Sequence, residues 1–155
     1  MALVAVWLHL LAVVTWMGGL VFGSHLVAPR LAQAGPAERG VLAHLLRRFR
    51  LVAWMAIALL VLTGLVNLAS LPVSVSALAE RGVGSLLALK LFLAVLTLSL
   101  AAHRDFALLP RLLAASPDTA GRPFAGIRWL DRIVLLLLLV ILFLGLAVAR
   151  GLRGA

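Results

Sequence analysis

Residues 133–149 read IVLLLLLVILFLGLAVA, a run with no charge, no proline and no alternation of polar with apolar letters. A helix needs on the order of 20 apolar residues to cross a bilayer, with about 17 as the lower end. A membrane-spanning strand would instead alternate apolar and polar residues. The run therefore predicts a transmembrane helix and argues against a barrel. Three more predominantly apolar runs lie upstream, at 3–28, 51–71 and 85–102. Composition agrees: the 155-residue chain is 65% hydrophobic, against roughly 45–50% in soluble domains. The expected architecture is all-α, an integral membrane four-helix bundle forming a single transmembrane domain over 1–155. Ala32-Gln33-Ala34 mimics a signal cleavage site. The first run lacks a basic leader, however, and is about twice the usual length of such a segment, so it is expected to be retained.

Charge sits between the runs. Arg30, Arg39, Arg47, Arg48 and Arg50 separate the first two, and Arg104, Arg111, Arg122, Arg128 and Arg132 separate the last two. Only Arg81, Arg150 and Arg153 fall on the other side. The excess of arginine on one side predicts that both basic loops face the cytoplasm, with N and C termini outside. A multi-pass protein of the inner (plasma) membrane is expected. The net charge of +9 finds its counterions in anionic lipid headgroups, so the lipid bilayer is the first partner. No nucleic acid partner is expected, because the aromatic residues are not interleaved with the arginines. There is no cysteine, which removes disulfides, thiolate metal sites and thiol redox chemistry.

An offset of 81 lays Ala28-Pro29-Arg30-Leu31 on Leu109-Pro110-Arg111-Leu112 and His9 on Lys90. Leucine-rich helices align with almost anything, so one matched motif leaves a repeat open. If real, it places a two-fold axis along the membrane normal and brings His9 near Lys90.

Polar groups inside apolar helices carry the functional reading, since an ionisable side chain in hydrocarbon costs at least ~2.5–3.5 kcal/mol. Lys90, His9 and Asn67 lie at one level, on three different runs. Lys90 either snorkels to the headgroups or faces an internal cavity; His9 is either a packing histidine or a ligand. Trp16 shares the His9 face, seven residues on. Thr63 and Gly64 line the same space or allow close helix contact. A second level holds His25 and His103, with His44 between the first two runs. These suit copper or one side of a haem, and equally an ordinary solvated interface. His9 and His25 are about 160° apart around one helix and cannot share a site. Asp105 beside Arg104, and Asp131 beside Arg132, read as loop ion pairs and helix-end caps.

Together, Trp7-Leu8-His9-Leu10-Leu11, Trp16-Met17-Gly18-Gly19-Leu20, Leu62-Thr63-Gly64, Leu89-Lys90-Leu91 and Leu108-Leu109-Pro110-Arg111-Leu112 resemble the CopD-type copper-resistance membrane domain over almost the whole chain. The opening, a histidine seven residues before a tryptophan with a lysine early in the third helix, is also similar to HemJ-type protoporphyrinogen oxidases, which are haem-associated. The first resemblance implies copper uptake or homeostasis, with His9 as the outer metal ligand and Met17 as a separate soft donor about 12 Å from it; His25 and His103 stay candidate metal ligands of the second level. The histidine-rich and methionine-rich clusters expected of a copper importer are missing. The second implies a haem b site, with His9 axial, Lys90 opposite it or near a propionate, Trp16 and Asn67 in the pocket, and Gly18, Gly19 and Gly23 easing the helix contacts. Any enzymatic activity would then be that of a haem-dependent oxidoreductase, although Val27-Ala28-Pro29-Arg30 departs from that family's pattern. A third reading is an auxiliary or assembly subunit of a larger respiratory complex.

Overall fold

The computed structural model describes residues 2–70, 83–116 and 119–153, and these contain helix and no strand. Helix α1 covers Ala2–Phe22 and widens into a π-turn at Gly23–Val27 before the short α2, Ala28–Gln33. The long α3 runs Pro36–Ala69. The second half repeats the plan: α4 is Val83–His103, a second π-turn is Arg104–Leu108, α5 is Leu109–Ala114 and α6 is Gly121–Arg153. Four stretches are long and apolar enough to cross a membrane: Leu3–Leu31, Ala37–Ala69, Val83–Ala114 and Arg122–Arg150.

The helices expected at 51–71, 85–102 and 133–149 extend further, α3 starting at Pro36, α4 running on into the second π-turn and α6 covering Gly121–Arg153; residue 71 lies outside the described residues. Arg39, Arg47, Arg48, Arg50, Arg122, Arg128 and Arg132 belong to helices rather than loops. Hydropathy marks where a helix meets lipid, whereas helix length is set by backbone hydrogen bonding, and Ala, Leu and Arg all favour that backbone. The two basic stretches thus continue α3 and α6 beyond their apolar windows, at what we term the arginine-rich end.

The π-turns follow from Pro29 and Pro110. A proline has no N–H to give and its ring clashes with the carbonyl four residues back. The preceding turn widens, so that Ala28 N–H reaches Gly23 O and Leu109 N–H reaches Arg104 O, each five residues back.

The offset of 81 carries each element of the first half through α2 onto its counterpart: Ala2–Phe22 onto Val83–His103, Gly23–Val27 onto Arg104–Leu108, Ala28–Gln33 onto Leu109–Ala114. The breaks after the short helices match too, with ψ of 140° at Ala34 and 142° at Ala115. Leu31 and Leu112, paired by the same offset, are both 0% exposed. The repeat that one sequence motif left open is a repeat of structure.

Within each half the long helices pair, α1 with α3 and α4 with α6. One apolar core then draws on all four: Trp16 and Ala12 from α1, Ala53 and Ala56 from α3, Ala101 from α4, Val134 from α6. The alanines let the helices approach closely, and large apolar side chains are free to face outward, because acyl chains reward no helix for hiding a leucine. Leu3, Val14, Leu51, Phe92 and Phe143 are all exposed accordingly. A second cluster closes the arginine-rich end, centred on Leu31, Leu112, Leu46 and Ile127. Above it Arg39 donates to the carbonyls of Leu31 at 3.1 Å and Leu112 at 2.9 Å, and to that of Ala115. One guanidinium thereby satisfies carbonyls at the ends of both short helices.

Candidate functional site

His9 lies seven residues into α1 and Lys90 seven into α4, one step of the repeat apart. Each sits over a glycine. A methyl group on Gly64 of α3 would meet His9 Cε1 at 3.5 Å, and one on Gly145 of α6 would meet Lys90 Nζ at 3.2 Å. These glycines are themselves 81 residues apart. The fold makes the same slot twice and fills it once with an imidazole and once with an amine. Both side chains are half-buried, and Lys90 is within electrostatic reach of the His9 ring.

The His9 ring is oriented by Thr63. Its Nδ1 is 2.9 Å from Thr63 Oγ1, and the Thr63 hydroxyl in turn donates to Leu59 O at 2.6 Å. A hydroxyl has a single proton. With that proton committed to the helix carbonyl, Thr63 oxygen accepts from His9, so Nδ1 carries the ring hydrogen and Nε2 keeps a free lone pair. This is how a neighbouring group presents a metal-ligating histidine.

The other sequence-selected residues are spread out. Asn67 is one turn from Thr63 on α3, half-buried, and hydrogen-bonds to no described residue. Trp16 is buried in the four-helix core, with Met17 packed at its edge. His25 is exposed in the first π-turn, its Nδ1 3.2 Å from Val21 O and 2.9 Å from Ser24 Oγ. His103 ends α4, exposed, and His44 is exposed on α3. Among the described residues no three His, Asp or Glu side chains gather closely enough to hold a metal ion. Of the glycines, Gly19 presses on the Phe49 ring, Gly23 lies near Arg104 Nη2, and Gly18 faces open space.

The Arg104–Asp105 pair expected in a loop forms instead in the second π-turn, buried, as part of a larger ionic cluster that sequence reasoning missed. Asp131 does not pair with Arg132 but with Arg104 of the neighbouring helix. It is 1% exposed and accepts from Arg104 Nε at 2.9 Å. Arg104 also donates to Asp105, whose other carboxylate oxygen accepts from Trp54 Nε1 at 3.0 Å. Arg50 donates to Asp105 O at 3.3 Å. Trp54 and Arg50 belong to the first half and the two aspartates to the second, so the cluster ties the halves together. The offset held the clue. It lays Arg50 on Asp131 and Ser24 on Asp105, unlike groups at matched positions.

A family model described as copper resistance protein D matches residues 43–149. The matched segment takes in Thr63, Lys90, Arg104 and Asp131 and leaves His9 and His25 outside it. No curated protein and no solved structure matches the chain.

Proposed function

The chain belongs to the copper resistance protein D family, and from that premise we propose that it handles copper as a cargo, taking it up or passing it on through the slot at His9. The observation that carries this reading is the Thr63 hydrogen bond, which leaves His9 Nε2 as a fixed lone pair inside the membrane-spanning region. Imidazole suits copper in either common oxidation state. The donor set is thin, one imidazole with no thiolate in the chain. A thin set fits passage better than storage, because a conducting site must release what it binds. Lys90 adds to this, since a nearby ammonium shortens the stay of any cation. The positive-inside rule orients the arginine-rich end toward the cytoplasm in the plasma membrane and places the His9 slot in the outer half.

Lys90 also favours a second reading. An ammonium that repels a metal ion would pair with a carboxylate, and a haem b held by His9 would bring propionates to it. Colour separates the two. Purified protein that titrates with copper and shows no Soret band supports the first reading; a Soret band lost in His9→Ala supports the second.

The test of copper handling is cellular copper accumulation, together with copper titration of purified protein against a competing chelator. His9→Ala is expected to lower both at least tenfold. Wild-type values in a folded His9→Ala protein would overturn the assignment.

A further inference from the structure

The first half carries polar residues that the fold does not need. An open cavity of about 400 Å³ beside the first π-turn is lined by His25, Leu26, Pro29, Arg30, Gln33 and Glu38. At the matching positions of the second half stand Phe106, Ala107, Pro110, Arg111, Ala114 and Thr119. The second half builds the same π-turn, short helix and break with these residues. His25, Gln33 and Glu38 are therefore surplus to the backbone, while the arginine, the proline and the lining alanine, Ala34 matched by Ala115, are common to both.

Within the cavity the charges do not satisfy each other. Among the described residues neither Arg30 nor Glu38 forms a hydrogen bond or an ion pair, although both line the same space. His25 has one committed nitrogen: Val21 O can only accept, so Nδ1 holds the ring hydrogen and Nε2 is a free acceptor. The cavity thus offers one cationic group and three acceptors, namely Glu38, the Gln33 carbonyl oxygen and His25 Nε2. It lies where the first membrane span ends at Leu31. Its Leu26 wall continues the lipid-facing surface, with Leu26 59% and Phe22 44% exposed.

We propose that this cavity binds the headgroup of a phosphoethanolamine lipid. Arg30 takes the phosphate, as guanidinium groups do. The primary ammonium has three N–H groups to donate, and Glu38, Gln33 and His25 supply three acceptors. The acyl chains follow Leu26 and Phe22 down the outside of α1. The match is to a zwitterion with a primary amine. A choline headgroup has no N–H to donate, and a glycerol headgroup has no cation for Glu38. The site is separate from the His9 slot and stands whether or not copper is the cargo.

The experiment is lipid binding to the delipidated full chain in detergent, read by native mass spectrometry and by melting temperature, with palmitoyl-oleoyl phosphatidylethanolamine, phosphatidylcholine and phosphatidylglycerol as separate probes. Wild-type protein is expected to retain the ethanolamine lipid at least threefold better than either of the others. Glu38→Gln should remove its advantage over the choline lipid, and Arg30→Ala should weaken both. Each side chain is exposed, so lipid-free melting should not change in either variant. Equal retention of the three lipids by wild type overturns the proposal, as does an ethanolamine preference that survives both substitutions. Preference for the glycerol lipid, indifferent to Glu38, would reduce the site to general basic attraction and overturn it as well. Soluble O-phosphoethanolamine is the control for source: binding as tight as that of the lipid would reject the lipid assignment in favour of a free metabolite.

Discussion

The two halves of this chain share a backbone and differ in what they put on it. Both place a π-turn before a proline, both end their short helix in an extended break, and both seat a side chain over a glycine on the partner helix. Yet His9 has Thr63 beside it, while the residue matching Thr63 in the second half is Leu144, which cannot hydrogen-bond. Trp16 fills a core position matched by Thr97, both nearly fully buried. Fold is what the halves hold in common, and chemistry is where they part. Positions whose counterparts are polar in one half and apolar in the other are therefore the places to look for function.

The halves differ most at the ionic cluster, which among the described residues is built once. Arg104→Met leaves two aspartates buried without their cation, and removal of one partner from a buried pair costs about 3–5 kcal/mol. Little folded protein should survive purification, as judged by gel filtration in detergent. Arg104→Met combined with Asp131→Leu should recover part of the loss in a thermal melt, since Asp105 still lacks its cation.

Gly19 comes next. Any side chain there would drive a Cβ into the Phe49 ring, so Gly19→Ala is expected to cost about 1–3 kcal/mol through overpacking. Its neighbour Gly18 has nothing within 4 Å, and Gly18→Ala should be neutral or slightly stabilising. The two melting temperatures give the contrast directly.

Exchanging the two slots tests what Thr63 contributes. Thr63→Val should lower copper binding by roughly 10–100-fold, the usual effect of losing a group that orients a ligand. The exchange His9→Lys with Lys90→His should fail in the same assay, because the new histidine faces Leu144. Adding Leu144→Thr should restore part of the binding. If the exchange works without it, Thr63 is not what readies the ring. The smallest effect is expected at Gly145→Ala, where the new methyl meets only the flexible tip of Lys90 at 3.2 Å. Its melting temperature should fall within a degree or two of wild type, since surface-like adjustments stay within about 0.5 kcal/mol.

Much of the fold was legible because lipid imposes a coarse rule. Runs such as 133–149 admit one reading, and their number gave four spans. Helix ends were not legible from the same signal: α3 begins at Pro36 and α6 at Gly121, in stretches where arginine hides a continuous helix from a hydropathy window. His9 and Lys90 stood out as ionisable letters in apolar text. Thr63 was noticed as a lining residue, but its hydrogen bond to His9 spans 54 residues and no local pattern announces it. Asp131 was misread for the opposite reason. Its chain neighbour Arg132 offered an obvious partner, while the true one, Arg104, is 27 residues away.

Arg39 has a consequence for how such a molecule can arise. It reaches Leu31 O and Leu112 O at nearly equal lengths, which sets its guanidinium close to the line about which the halves are related; its own counterpart is Ala120. Two separate copies of the first half, assembled as a dimer, would bring two arginines to that one point and repel. Joining the copies in a single polypeptide lets one keep the cation while the other yields to alanine. Covalent linkage thus permits a centre that no symmetric pair of identical chains could build.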